Sequence, residues 1–256
     1  MNETADLSKE GEFIAELHEK TKWFKKDPPN KSDIPPIFKK YNTKKIILPK
    51  NFKKSSVTVE DAIKERASWR DFSGSIGIDE VSKVLYYANG FKELADTDLG
   101  ILQKTNAPSA GSRHPIELYV ILQRIDGVND GIYHYDNESH LLETISESLP
   151  EELAGIYNHQ SNLTKANMLI FMTAVHRRTS WKYGPRAYRF IHLDAGHIGQ
   201  NVYLIAEAMG LGCCAVGGWN EELAKSMLKI DGQRELLVYS VVVGKKASPS
   251  MHKNFI

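Results

Sequence analysis

The stretch WKYGPRAYRFIHLDAGHIGQNVYLIAEAMGLGCCAVGGW, Trp181 to Trp219, sets the strictest condition on the fold. Ile191, Ala195, Ile198, Val202, Ile205 and Met209 alternate spacings of four and three. That pattern lays one apolar stripe along about five helical turns. A helix with such a stripe has to bury it, so it is expected to be a core element. A polar, aromatic lead-in (Trp181, Lys182, Tyr183) precedes it, and a glycine-punctuated turn into Gly217 and Gly218 follows. Gly196 and Gly199 lie inside the helix, where each costs about 1 kcal/mol relative to alanine. The cost implies that a flat ring or a partner helix approaches the backbone there.

The chain has 256 residues, 41% hydrophobic and 25% charged, enough to bury a full core as one domain with appendages. No segment approaches the ~20 apolar residues that span a bilayer. The first residues, MNETADLSKEGEF, lack a signal peptide's basic start and apolar core, so a cytoplasmic protein is expected. Cys213 and Cys214 are the only cysteines and are adjacent, which excludes a disulfide framework and reads as small buried thiols in a strand or turn.

Charge is unevenly placed. Residues 20–54 hold twelve Lys and two Asp, with Trp23, Phe24, Phe38, Tyr41 and Phe52 interleaved and Pro28, Pro29, Pro35, Pro36 and Pro49 spacing them. Nucleic-acid binding is one reading of such a stretch. The favoured reading is an arm that drapes over the domain, anchored by its aromatics with its lysines in water, since no arginine occurs there. No metal site is expected. His192 and His197 lie about 140° apart around a helix, and His114, His134, His140 and His176 read as satisfied structural histidines at turns and strand ends.

Three segments follow from the pattern: an arm over 1–57, a compact domain over 58–246 and a tail over 247–256. Residues 1–15 are polar and expected to fray before a short helix over 14–22. Thr58 is a plausible N-cap, with Glu60 and Asp61 in the first turn of a helix that ends near Arg66, Ser68 and Arg70. A second helix is expected over 79–89, stopped by Gly90. Residues 106–115, Asn-Ala-Pro-Ser-Ala-Gly-Ser-Arg-His-Pro, form a loop of small hydrogen-bonding residues before an alternating strand over 116–122. A hairpin over 131–135 and 140–144, a helix over 150–157, a buried strand over 168–175, a helix capped by Asn220 and a last strand over 235–243 complete the reading. Strands and helices mingle without a βαβ repeat, which gives an α+β class.

The motifs Arg66-x-Ser68-x-Arg70-x-Phe72, Pro108-Ser109-Ala110-Gly111, Asp194-Ala195-Gly196-His197 with Gln200-Asn201, and Gly210-Leu211-Gly212 into Gly217-Gly218 occur here in one order. That series resembles the FMN-dependent nitroreductase-fold superfamily. Within it the chain is most similar to the SagB/ThcOx-type dehydrogenases, which oxidise azoline rings in ribosomal peptides. Lys182-Tyr183-Gly184, Arg186-x-Tyr188-Arg189, Arg113-His114-Pro115 and His18-Glu19-x-Thr21-Lys22 carry the closer likeness, as do the pieces from Lys40-Tyr41 to Leu48-Pro49.

The resemblance implies a central, mostly antiparallel sheet flanked by helices, in an intertwined homodimer with FMN at the subunit interface. Arg66, Arg70 and Lys245 or Lys246 would hold the phosphate. Ser68 would reach the ribityl chain or the pyrimidine edge, and Pro108, Ser109, Ala110, Ser112, Arg113 and Gln200 would line the cofactor. Arg113 would stabilise negative charge at N1 and O2, and Gly217 and Gly218 would bring a bare backbone amide to N5. Asp194 and His197 read as structural. Oxidising a C–N ring needs a base, and an ammonium beside a tyrosine favours its ionised form, so Lys182 and Tyr183 are the expected catalytic pair. They also read as a lid over the flavin. Small-molecule or peptide substrates and a biosynthetic complex are the implied partners. Two rivals stand beside this reading: an NAD(P)H-dependent nitroreductase or quinone reductase, and a non-catalytic FMN-holding scaffold.

Overall fold

The computed structural model describes residues 8–22, 33–98 and 100–247. Trp23, Phe24, Pro28 and Pro29 of the arm lie outside the described residues, as do residues 1–7 and the expected tail beyond Ala247. Helix α1 (Lys9–Lys20) starts earlier than the expected 14, because Ser8 caps it by accepting the Gly11 N–H and Glu10 and Glu12 suit the positive end of the helix dipole. Strand β1 (Lys45–Ile47) follows, then α2 (Val59–Glu65), capped by Thr58 as expected. Strand β2 (Ile76–Gly77) leads into α3 (Ile78–Asn89), which ends at Gly90. Hairpin β3 (Phe91–Thr97) and β4 (Gly100–Thr105) has no counterpart in the sequence reading, because its strands are largely exposed and lack an apolar alternation.

The remaining elements are β5 (Ile116–Leu122), β6 (Ile125–Asp126), β7 (Gly131–Asp136), β8 (Leu141–Ser146), β9 (Met168–Val175), α4 (Arg177–Tyr183), α5 (Ala187–Ala208), β10 (Gly212–Val216), α6 (Glu221–Leu228) and β11 (Glu235–Gly244). Seven strands form one antiparallel sheet in the order β1-β8-β7-β5-β9-β11-β10. The expected α+β class with a helix-flanked antiparallel sheet is what forms.

Both faces of the sheet are covered. Leu118, Val120 and Leu122 of β5 face Val84 and Leu85 of α3 and Ile191, Ala195, Ile198 and Val202 of α5. Tyr119 and Ile121 face the opposite layer, with Leu153, Tyr157 and the α6 residues Ala224 and Leu228. All seven β5 residues are therefore buried, where the sequence suggested an alternating strand. Ile191, Ile198 and Val202 are 3% exposed or less, and each contributes about 1.5–3 kcal/mol by burial. The predicted stripe is real, although Met209 caps the helix instead of extending it.

Three further expectations change. Trp181, Lys182 and Tyr183 are the last turn of a helix, and the glycine-rich turn after α5 contains β10, with both cysteines buried in it as read. The helix expected over 150–157 is a 3-10 turn (Glu151–Gly155), whose three-residue repeat lets Leu153 and Ile156 point into the core together. Gly199 is explained by a flat ring from within the chain: an added Cβ would lie 2.7 Å from Tyr239 Cε1. Gly196 has nothing within 4 Å.

The arm is tied to the sheet by charge as well as by β1. Lys39, half-buried, donates to Glu235 and to the Tyr119 hydroxyl (2.6 Å), so the expectation that the arm's lysines stay in water fails there. The Tyr41 N–H donates to Glu143 Oε2 at 2.9 Å. His134, in the middle of β7 and fully buried, sits 3.0 Å from Glu143 on one side and 3.0 Å from Glu117 on the other. Arg178 donates to Glu117 Oε1 at 2.5 Å. Burial opposes charge on the ring, but the hydrogen bonds to Glu117 and Glu143 raise His134 to about 9. Three buried carboxylates are thereby matched by Lys39, His134 and Arg178.

Candidate functional site

Arg66 is the C-cap of α2, and from there the chain runs extended. In extended backbone alternate residues share a side. Trp69 is buried against Gly212, while Arg66 and Arg70 are exposed and Ser68 half-buried. A parallel bridge pairs Ser68 with Cys213, and the Trp69 N–H donates to Cys213 O at 2.7 Å. The motif therefore flanks the start of β10, and Gly217 and Gly218 follow its far end. Five residues at about 3.3 Å each separate the two by about 16 Å.

Tyr203 of α5, which the sequence reading missed, joins these parts. Its hydroxyl lies 2.9 Å from Ser68 Oγ and accepts the Ala215 N–H at 2.8 Å, and the Arg66 guanidinium lies 5.6 Å from its ring centroid. Among the described residues Arg66 and Arg70 have no carboxylate partner. Lys246 does: it bonds Glu207 at 3.2 Å and lies over the Trp69 ring. The Lys245 N–H donates to Asn167 Oδ1, and its side chain passes Gly74.

The loop before β5 is a second cluster. Asp194 of α5 accepts from Ser109 Oγ (2.5 Å) and from the Ala110 N–H (3.2 Å), and Ser109 Oγ accepts the His114 N–H. Asp194 is buried and structural, as expected; burial raises its carboxyl above the usual range and the two bonds oppose this. Pro108 is exposed, Ser112 has φ 52 and Gly111 φ 60. Arg113 is 5% exposed, donates from Nε to Gly111 O, and stacks 5.3 Å from the Trp181 ring. Burial pulls its guanidinium below the ordinary arginine range, which Tyr183 opposes.

Lys182 and Tyr183 close on this loop. A Cβ at Gly111 would lie 2.4 Å from the Tyr183 hydroxyl and 3.1 Å from Lys182 Nζ, so a side chain there would displace both, and φ 60 favours glycine independently. Lys182 Nζ stands 5.1 Å from the Tyr183 ring centroid. Gln200 is exposed on α5 and joins neither cluster. Asp194 and Tyr203, nine residues apart, point from α5 in opposite directions, about 13 Å apart along its axis. The two clusters thus occupy opposite flanks of one helix.

Arg113 Nη2 is buried with no hydrogen-bond partner, Arg66 and Arg70 are exposed and among the described residues unpaired with any carboxylate, although Arg70 Nη1 donates to Ser68 O at 3.4 Å, and nothing lies within 4 Å of a Cβ at Gly217 or Gly218. These are the donors and the clearance that a phosphate and a flat ring require.

The pattern of the Nitroreductase family matches residues 63–245. MJ1384 of Methanocaldococcus jannaschii, named as a candidate nitroreductase, is 33% identical over 192 residues, 74% of this chain and 92% of its own length. The trifolitoxin-processing protein TfxB of Rhizobium leguminosarum bv. trifolii is 31% identical over 66% of this chain, and the microcin B17-processing protein McbC of Escherichia coli is 25% identical over 48%. This chain spans about half of each, 47% and 48%. Among solved structures, a candidate nitroreductase from Anabaena variabilis aligns with TM-score 0.72 at 22% identity, covering 96% of this chain and 50% of the other. The E. coli microcin synthetase McbBCD complex aligns at 0.59 and 17%, covering 93% of this chain and 93% of the matched chain.

Proposed function

The chain belongs to the nitroreductase family of oxidoreductases, and from that premise we propose that it is an FMN-dependent, SagB-type dehydrogenase that oxidises a C–N bond of an azoline-like substrate. The observation that carries the reading is the meeting of the Tyr183 hydroxyl and Lys182 Nζ at Gly111, on the loop that bears Arg113. Relatives named for processing microcin B17 and trifolitoxin support a peptide substrate and a biosynthetic complex.

FMN, when bound, supplies the hydride acceptor. Arg66 and Arg70 would hold its phosphate, with Lys245 freer for it than Lys246, which pairs with Glu207; Ser68 Oγ is fixed by Tyr203. Gly217 and Gly218 would leave room for a backbone amide beside the ring, and Arg113, whose Nη2 is buried without a partner, would supply a donor to its pyrimidine edge. As a phenolate, Tyr183 Oη would take the proton from the substrate carbon and become a neutral phenol, and Lys182 would place positive charge beside the oxygen that bears the negative charge before that transfer. The two clusters lie on opposite flanks of α5, an arrangement that a second copy of the chain would close on one cofactor, which supports the homodimer.

The purified protein is expected to carry a flavin absorbance spectrum. Anaerobic bleaching of that flavin by a synthetic thiazoline peptide tests the reading, and rapid bleaching by NADPH with turnover of a nitroaromatic would replace it with a nitroreductase. The similarity to MJ1384 favours that second reading. Replacing Arg66 and Arg70 together by alanine removes two charge-assisted bonds, at about 1.5–3 kcal/mol each. Titration with FMN should show binding weaker by at least about 100-fold, with the melting temperature of the flavin-free protein unchanged.

A further inference from the structure

We infer that the N-terminal arm is the positioning element of Lys182 and Tyr183, gripping through three arginines both ends of the segment that carries them. The inference rests on the catalytic reading of that pair.

Helix α4 is seven residues long, with no side-chain cap at its His176 N-cap and a left-handed turn at Gly184 (φ 55). So short a helix is marginal by itself. It is held by arginines instead. At its start, Arg178 is 4% exposed and donates to Pro36 O of the arm (2.9 Å), to Glu117 and to His114 O (3.3 Å). One guanidinium thus fixes both α4 and the loop that Tyr183 must meet.

At the other end, Arg189 Nε donates to Thr21 Oγ1 at 2.8 Å, Arg189 Nη2 donates to His18 O, and Arg186 Nη1 reaches Thr21 O at 3.5 Å. His18 and Thr21 lie at the C-terminal end of α1, the negative end of its dipole, where cations are stabilised. The grip continues to the site through rings. The Arg186 guanidinium stands 5.6 Å from the Phe190 centroid, and Phe190 meets Tyr183 edge to face at 4.9 Å. With the Tyr183 hydroxyl seated against Gly111, a shift of about 1 Å at Phe190 would reach the reacting oxygen, and misplacement on that scale costs up to about 100-fold in rate.

Thr21→Val tests this in the full chain, because it keeps the shape and removes the oxygen that Arg189 reaches. In the flavin-free protein, hydrogen exchange over 177–190 is expected to accelerate at least about tenfold, while exchange over β9 stays as in wild type. In the FMN-loaded protein, bleaching by a thiazoline peptide should slow about tenfold at saturating probe, with less change in the half-saturating concentration. Thr21→Ser should restore both, and Thr21→Val should add no loss in a Tyr183→Phe background. Unchanged exchange over 177–190 overturns the inference whether or not the probe reacts. So does an equal further loss in the Tyr183→Phe background, which would mark Thr21 as a general stabiliser. Inertness of Tyr183→Phe alone would sink the catalytic reading instead, and exchange would still decide the role of the arm.

Discussion

Replacing Lys182 by alanine and Tyr183 by phenylalanine together is expected to leave flavin bound and to slow thiazoline oxidation by about 10²–10⁴-fold. Removing a positioned general base costs that much. The retained flavin follows from the geometry: both side chains contact Gly111 on the loop, whereas Arg66, Ser68 and Arg70 flank β10 on the other flank of α5. Anaerobic bleaching of the variant, monitored at the flavin band, separates the alternatives. Lost flavin would show that the pair serves binding, and wild-type bleaching would reduce Lys182 and Tyr183 to a cover over the ring. Undisturbed function inside a complex despite slow bleaching would favour the scaffold.

The second large effect concerns stability. His134 is fully buried between Glu117 and Glu143, and its folded value of about 9 lies above the ordinary 6.5. Protonation therefore stabilises the native state in full below about pH 6.5, and the contribution is lost as pH rises through about 9. His134→Gln removes the cation shared by two buried carboxylates and leaves Glu143 with only Lys45 at 3.9 Å, while Glu117 keeps Arg178, a loss of about 3–5 kcal/mol. Denaturant midpoints measured from pH 6 to 10 should fall steeply above pH 8 in wild type, whereas the variant starts lower and follows a flatter course. Parallel curves for the two proteins would mean that the ring is neutral in the fold.

The sequence made the local parts of this molecule legible and left the pairwise ones hidden. The α5 stripe, the Thr58 and Asn220 caps and the 131–135/140–144 hairpin are written in neighbouring residues, whose periodicity and side-chain chemistry act over a few positions. The convergence of Lys182 and Tyr183 on Gly111 was foreshadowed only as a set of motifs in order. Tyr203, Arg178 and the His134 ladder were missed because each acts on partners far along the chain: Arg178 lies 61 residues from Glu117, and Ser68 lies 135 from Tyr203. A Glu at 117 in an otherwise apolar strand was the one available signal, since a charge buried on both sides needs partners. The 3-10 turn at Glu151–Gly155 was misjudged because a period of three resembles a period of 3.6 over five residues.

Asp194 and Tyr203 leave α5 in opposite directions, and under the proposed pairing of two chains heredity would follow from that half-turn. In a symmetric pair each pocket would inherit its cations from one parent chain and its loop from the other. Two chains damaged at different poles would then rescue one another, since their mixed pair keeps one whole pocket of the two.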